Sequence, residues 1–294
     1  MIKKPKLSVV VAFFNMRREA KRTLYSLCCN YQQNIHLDDY EVLVIDSGST
    51  EPLDSDWVES LQSNFRYYFV SCEHPSPCKA MNFGISQSQA ELVACAIDGA
   101  RILSPNILSL MLRAQQLFPT PLIYTLAMHL GEKLQNLAVE EGYDQDVEDN
   151  LLNTIDWQRD GYQLFTISAL AGSSERGYTG YLTESNFFAV NNKMLAAIGG
   201  FDERFISPGG GFVNLDVFAQ LLGAPGVDPV LLLGEATFHQ FHGGVATNVP
   251  MARHPGELFL DEYASIRGKQ FAYVEREPYV FGKFSEVTRR LLWV

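Results

Sequence analysis

One local pattern occurs three times in the first hundred residues, and it narrows the fold more than any other feature. Leu7-Ser8-Val9-Val10-Val11-Ala12-Phe13-Phe14-Asn15 is an apolar, β-rich run that ends in a polar loop. Glu41-Val42-Leu43-Val44-Ile45-Asp46-Ser47-Gly48-Ser49-Thr50 repeats the layout, and Glu91-Leu92-Val93-Ala94-Cys95-Ala96-Ile97-Asp98-Gly99 does so again. Short runs of this kind, bounded by turn formers, read as buried strands. Between the first two, residues 16–31 carry Leu24, Leu27 and Cys28 at amphipathic-helix spacing. Strands alternating with helices imply parallel pairing through right-handed crossovers. The expected fold is therefore α/β: a Rossmann-like, mostly parallel central sheet with helices on both faces. Each run ends on a side chain able to grip a ligand: Asn15, Asp46 and Asp98. Open parallel sheets bind ligands outside the carboxyl ends of their strands, so the three point to one nucleotide-sized site.

The alternation continues downstream. Residues 54–63 read as a short helix, 65–72 as an aromatic-rich strand and 77–88 as a loop and helix. Ser104-Pro105 reads as a helix start, with Ser as N-cap and Pro at the first helical position; the helix runs to about Phe118, and 122–130 resumes as a strand. The acidic stretch 131–160 reads as a surface excursion, and the Gly- and Tyr-rich 176–181 as a loop over a site. Residues 184–190 are strand-like, 192–198 form a short helix stopped by Gly199-Gly200, and Gly209-Gly210-Gly211 precede a helix holding Asn214 and Asp216. A last strand at 230–238 feeds His239-Gln240-Phe241-His242-Gly243-Gly244.

Charge excludes some partners. The 294 residues carry 34 acidic and 23 basic side chains, a formal charge of −11, with no basic run of the kind a nucleic-acid binder shows. Anionic membrane surfaces are disfavoured for the same reason. The five cysteines, Cys28, Cys29, Cys72, Cys78 and Cys95, are odd in number and lack metal-binding spacing. They suit free thiols in a reducing compartment. No apolar run approaches the length of a membrane span, and the basic Met1-Ile2-Lys3-Lys4-Pro5-Lys6 leads into a strand without a signal-peptide core. The expectation is a cytoplasmic protein without an integral membrane segment.

Five segments occur in a telling order: the strand ending at Asn15, Val44-Ile45-Asp46-Ser47-Gly48-Ser49-Thr50, Ala80-Met81-Asn82-Phe83-Gly84-Ile85, Ile97-Asp98-Gly99, and Gly199-Gly200-Phe201-Asp202-Glu203-Arg204-Phe205. Together they resemble family 2 glycosyltransferases of the GT-A fold, over roughly residues 6 to 245. The resemblance implies a domain at 1–245, with a nucleotide-binding half at 1–120 and an acceptor half at 121–245. Residues 246–294 would be an extension packed on it. It implies transfer of a sugar from a nucleotide-sugar donor, a UDP-sugar first among candidates, to a hydroxyl-bearing glycan or small-molecule acceptor. Glycan or polysaccharide synthesis is the expected setting, with inversion at the anomeric carbon.

By the same resemblance Phe14 and Asn15 flank the base, Asp46 bonds the uracil or its equivalent, and Lys79 meets the donor from a loop. Asp46 before Ser-Gly is equally a turn initiator. Asp98 matches the first carboxylate of an Asp-x-Asp motif that holds a divalent cation, Mn²⁺ or Mg²⁺, against the diphosphate. The second carboxylate is missing, because Ala100 stands in its place; Arg101 follows and offers fixed positive charge to phosphate or a solvated turn. A late histidine completes such metal sites, and His242 fits better than His239. Imidazole favours Mn²⁺ over Mg²⁺. Asn214 occupies the position of the catalytic base, and an amide cannot accept a proton near neutral pH. The candidate bases are therefore Asp216, two residues on, and Glu184. Loss of both carboxylates also fits a catalytically degenerate nucleotide- or glycan-binding protein on the same fold.

Overall fold

A computed structural model describes residues 4–293; the N-terminal Met1-Ile2-Lys3 of the basic leader lies outside the described residues. The three copies of the strand pattern lie side by side in one sheet. These are β1 (Leu7–Phe13), β2 (Tyr40–Asp46) and β4 (Leu92–Ala96), with β3 (Phe65–Phe69) at the edge. β1 lies between β2 and β4, and β3 flanks β2, all parallel. Alternate side chains of a strand face opposite sides, and both sides are covered. Val10, Ala12, Leu43, Ile45, Val93 and Cys95 join one core with α3 (Cys78–Gln87). Val9, Val11, Val42, Val44, Leu92 and Ala94 join a second with α1 (Arg17–Ser26) and α4 (Ile107–Leu117). Burial on both faces explains why these strands are nearly continuous apolar runs. α2 (Ser55–Leu61) packs beside β3.

The second half extends the sheet past β4 in the order β4, β8 (Phe187–Asn191), β6 (Pro121–Leu130), β9 (Asp228–His239), β10 (Tyr279–Gly282). β8 is antiparallel to both neighbours, whereas β6, β9 and β10 are mutually parallel. Two strands of three residues, β5 (Arg101–Leu103) and β7 (Ser168–Leu170), attach antiparallel to β9 and β6. Five further α-helices follow among the described residues: α5 (Gln135–Ala138), α6 (Gln145–Leu152), α7 (Asn192–Ala197), α8 (Val213–Leu222) and, in the C-terminal stretch, α9 (Gly256–Arg267).

Two local expectations change. α4 starts at Ile107 with Asn106 before it, rather than at Pro105. Ser104 instead donates through Oγ to Glu235 Oε2 at 2.5 Å, which ties the chain to β9. The acidic stretch 131–160 is more than a surface excursion: Glu148 of α6 is fully buried. Its Oε2 accepts the backbone N–H of Phe241 at 2.6 Å, while Arg18 and Arg22 of α1 pair with Asp149 beside it. No helix among the described residues is long and apolar enough to cross a membrane.

Candidate active site

The carboxyl ends of β1, β4 and β9 open into a cavity of about 700 Å³, within the range of small-molecule sites. Gly99 permits the close approach that builds it. A Cβ at this position would lie 2.4 Å from the Phe13 ring and 2.6 Å from the Ala12 carbonyl oxygen. Only glycine lets the end of β4 press against the end of β1, with Asp98 on one side and Phe14-Asn15 on the other. Asn15 has φ of 53°, a left-handed conformation that Asn tolerates better than most residues. Its Oδ1 accepts the Thr50 N–H at 2.9 Å, and its own N–H donates to Ser49 Oγ at 2.8 Å.

Sheet register assembles the charged centre. β5 pairs Arg101 directly with His239 of β9, and β6 places His129 on the other side of His239. Asp98 Oδ2 lies 3.2 Å from His239 Nε2 and 3.2 Å from Arg101 Nε, and Oδ1 lies 3.9 Å from His242 Nε2. The ligand atoms of Asp98, His239 and His242 all fall within 4.8 Å of one another. One carboxylate and two imidazoles at that spacing fit a divalent transition ion. Burial works to raise the Asp98 carboxyl, but His239, Arg101 and His242 outweigh it and hold it well below the usual range. Burial pushes His239 down to about 4 against the pull of Asp98. Arg101 is 5% exposed, and its Nη1 has no hydrogen-bond partner. A buried, unpaired donor on the wall of a cavity is a place for an anionic ligand.

The loop carrying His242 is fixed by its backbone. Glu148 holds the Phe241 N–H, Arg18 Nη1 donates to the Phe241 carbonyl at 3.2 Å, and Asn248 Oδ1 accepts the N–H groups of His242 and Gly244 at 3.1 and 3.0 Å. On the opposite wall Gly209, Gly210 and Gly211 all have positive φ, which explains the glycine run ahead of α8. The first turn of α8 presents Asn214 to the cavity, where Nδ2 donates to Glu184 Oε2 at 3.0 Å.

The structure brings Phe14, Asn15, Asp98, Arg101, Glu184 and His242 to the cavity wall, and it leaves three of the expected residues elsewhere. Asp46 is fully buried; Oδ1 accepts the Ser49 N–H and Oδ2 the Leu53 N–H, both at 2.9 Å. Each oxygen thus accepts a backbone N–H of its own loop, and Asp46 is not among the residues that line the cavity. Lys79 points away and donates to the Ser71 carbonyl at 2.9 Å. Asp216 lies on another face of α8, 3% exposed, and accepts from Arg267 Nε at 3.0 Å and Gln220 Nε2 at 2.8 Å. Two residues on a helix are some 200° apart, so Asn214 and Asp216 cannot share a target. Gln135, at the start of α5, and Asn248, in the loop after β9, bond to the histidine pair; neither stands out in the sequence, because single amides belong to no pattern.

Residues 8–228 match the model of a family described as glycosyltransferase-like family 2. The chain belongs to that family. Solved glycosyltransferases share the architecture. TarS from S. aureus superposes with a TM-score of 0.53 at 14% identity, over 80% of this chain and 36% of TarS. TarS 1–349 in complex with UDP gives 0.52 at 14% identity, over 79% of this chain and 60% of that one. The mannosyltransferase PcManGT from Pyrobaculum calidifontis, in complex with GDP-Man and Mn²⁺, gives 0.52 at 16% identity, over 92% and 66%. The chain thus spans about a third of the length of that TarS chain. At these identities the likeness shows the fold, GT-A. None of the curated proteins matches the chain.

Proposed function

We propose that this glycosyltransferase moves a sugar from a UDP-sugar to a hydroxyl acceptor in glycan or polysaccharide synthesis, with inversion and with Glu184 as the base. The convergence of Asp98, Arg101, His242 and Glu184 on one cavity carries the reading. UDP in the TarS complex supports a UDP donor, although PcManGT binds GDP-Man. Free thiols at all five cysteines suit a reducing, cytoplasmic setting.

In this reading Phe14, 39% exposed, and Asn15 cover the nucleoside at the end of β1. Asp46 and Asn15 both shape the loop through residues 47–53, and Asp46 acts on the donor only through that loop. Asp98 and His242 would hold a divalent cation, which when bound stabilises charge developing on the diphosphate. Arg101 offers its unpaired Nη1 to the same oxygens. Glu184, oriented by Asn214, takes the proton of the acceptor hydroxyl as that oxygen bonds to the anomeric carbon and the bond to the diphosphate breaks. A thermal-shift screen of nucleotide sugars, with and without Mn²⁺, tests the proposal. A ligand that binds only the folded state raises the melting temperature. A shift with a UDP-sugar, followed by turnover that Glu184→Gln lowers by about 10²–10⁴-fold, is the expected result. No shift with any nucleotide sugar overturns the reading. Binding without turnover would favour a degenerate binding protein.

A further inference from the structure

The position of the hydrogen on His239 follows from a relay that begins at the backbone. The N–H groups of His242 and Gly244 can only donate, and both bond Asn248 Oδ1. The other end of that amide is therefore Nδ2, which donates to Gln135 Oε1 at 2.8 Å. Gln135 Nε2 in turn donates to the His239 carbonyl at 3.1 Å. The atom that meets His239 Nδ1, at 2.7 Å, is thus a carbonyl oxygen. An oxygen without hydrogen requires an N–H from the ring. Nδ1 carries the hydrogen, which leaves Nε2 as the ring nitrogen that can offer a lone pair.

That lone pair faces Asp98 Oδ2 at 3.2 Å; the Thr247 hydroxyl, at 3.5 Å, is too far for a strong bond. Two electron-rich atoms at this distance repel unless a positive centre lies between them. A proton would satisfy one nitrogen–oxygen pair. The structure shows three ligand atoms converging, with His242 Nε2 the third. Adjacent ligand atoms about 2.1 Å from one ion stand about 3.0 Å apart in octahedral and about 3.4 Å apart in tetrahedral geometry, which brackets the 3.2 Å between Asp98 and His239, while His242, 3.9 Å from Asp98, has to close in by several tenths of an ångström. Position 100 supplies no side-chain ligand: Ala100 is buried, and its N–H bonds Asp98 Oδ1 at 3.0 Å.

We propose that His239 takes the ligand place of the carboxylate absent at position 100, and that Gln135 and Asn248 are positioning residues that fix its tautomer for a divalent cation. The proposal rests on the cation reading of the site given above. Because Asn248 also holds the backbone of the His242 loop, one relay sets both imidazoles. Two imidazoles and one carboxylate prefer Mn²⁺, Co²⁺ and Zn²⁺ to Mg²⁺ and Ca²⁺.

The test is long-range ¹H–¹⁵N NMR of the histidine-labelled, metal-free protein at pH 7, followed by Zn²⁺ addition and Mn²⁺ calorimetry in the presence of UDP. The expected spectrum shows His239 with protonated Nδ1 and bare Nε2, and Zn²⁺ shifts the Nε2 resonance. His239→Ala loses at least tenfold in Mn²⁺ affinity. Gln135→Leu loses about 10–100-fold, as orienting partners of ligands usually do. Asn248→Asp keeps the acceptor for the two backbone N–H groups but no longer donates to Gln135; it guards against misfolding of the buried Gln135 variant and should lose affinity similarly. A protonated Nε2 overturns the proposal. So does undiminished Mn²⁺ affinity in His239→Ala, and if Asp98→Ala then still loses the ion, the cation reading survives alone. Nucleotide-sugar binding with no cation bound under any condition overturns the relay as a ligand device and leaves sugar transfer standing.

Discussion

Asn214 and Glu184 are joined by a 3.0 Å hydrogen bond from the Asn214 amide to the Glu184 carboxylate, and both line the cavity. An amide stands at the first turn of α8, and the carboxylate it holds comes from the segment ahead of β8. General-base assistance is worth about 10²–10⁴-fold. Glu184→Gln should therefore lower the transfer rate by about that factor while leaving UDP affinity unchanged. Asn214→Ala should cost less, since the carboxylate remains. Initial rates and UDP calorimetry on the same preparations check this; a rate preserved in Glu184→Gln would remove Glu184 from the chemistry.

Asp216 is expected to matter for folding rather than turnover. It joins α8 to Arg267 of α9, and Arg267 Nη1 also reaches Asp202 at 2.8 Å. Hydrogen bonds to charged groups contribute about 1.5–3 kcal/mol. Asp216→Asn should lose stability of about that size in urea unfolding, with the rate per folded molecule retained.

Arg101 should act on the diphosphate and not on the nucleoside. Replacing its buried guanidinium in Arg101→Met removes the unpaired donor but keeps much of the volume. Loss of one charge-assisted contact corresponds to about 10–100-fold in affinity. Calorimetry should show that loss for UDP and little change for uridine. Equal weakening of both ligands would mean that Arg101 only supports the cavity wall.

Glu235 gives a stability signature in pH. Burial pushes its carboxyl from an ordinary 4.5 to about 7, although Ser104, Tyr162 and the Asn106 N–H bond to it. Between those values the folded protein holds a proton that the unfolded chain has released. The group's contribution is thus present in full below about pH 4.5 and is lost as pH rises through about 7. Glu235→Gln stays neutral throughout. Its stability relative to the parent protein should increase from pH 5 to pH 8 in denaturant titrations, and a constant difference would show that Glu235 is ionised across the range.

The sequence by itself determined the central sheet. Val9 to Val11, Val42 to Ile45 and Leu92 to Cys95 are apolar because both faces of each strand are buried, and that is a local signal. The ends of these strands were legible for the same reason, and with them Asn15 and Asp98. Only the tertiary structure decided which polar groups reach the cavity. Strands of three residues such as β5 are too short to show a period, yet β5 sets Arg101 against His239. Asp46 and Asp98 end similar strands, but the loop after Asp46 folds back and bonds both its oxygens, whereas Asp98 meets Arg101 of β5 and His239 and His242 at the end of β9. Asp216 has its partner 51 residues away in α9. Apolar periodicity is written along the chain, but the partner of a polar side chain is chosen among all the groups that folding brings near it, and no stretch of sequence contains that competition.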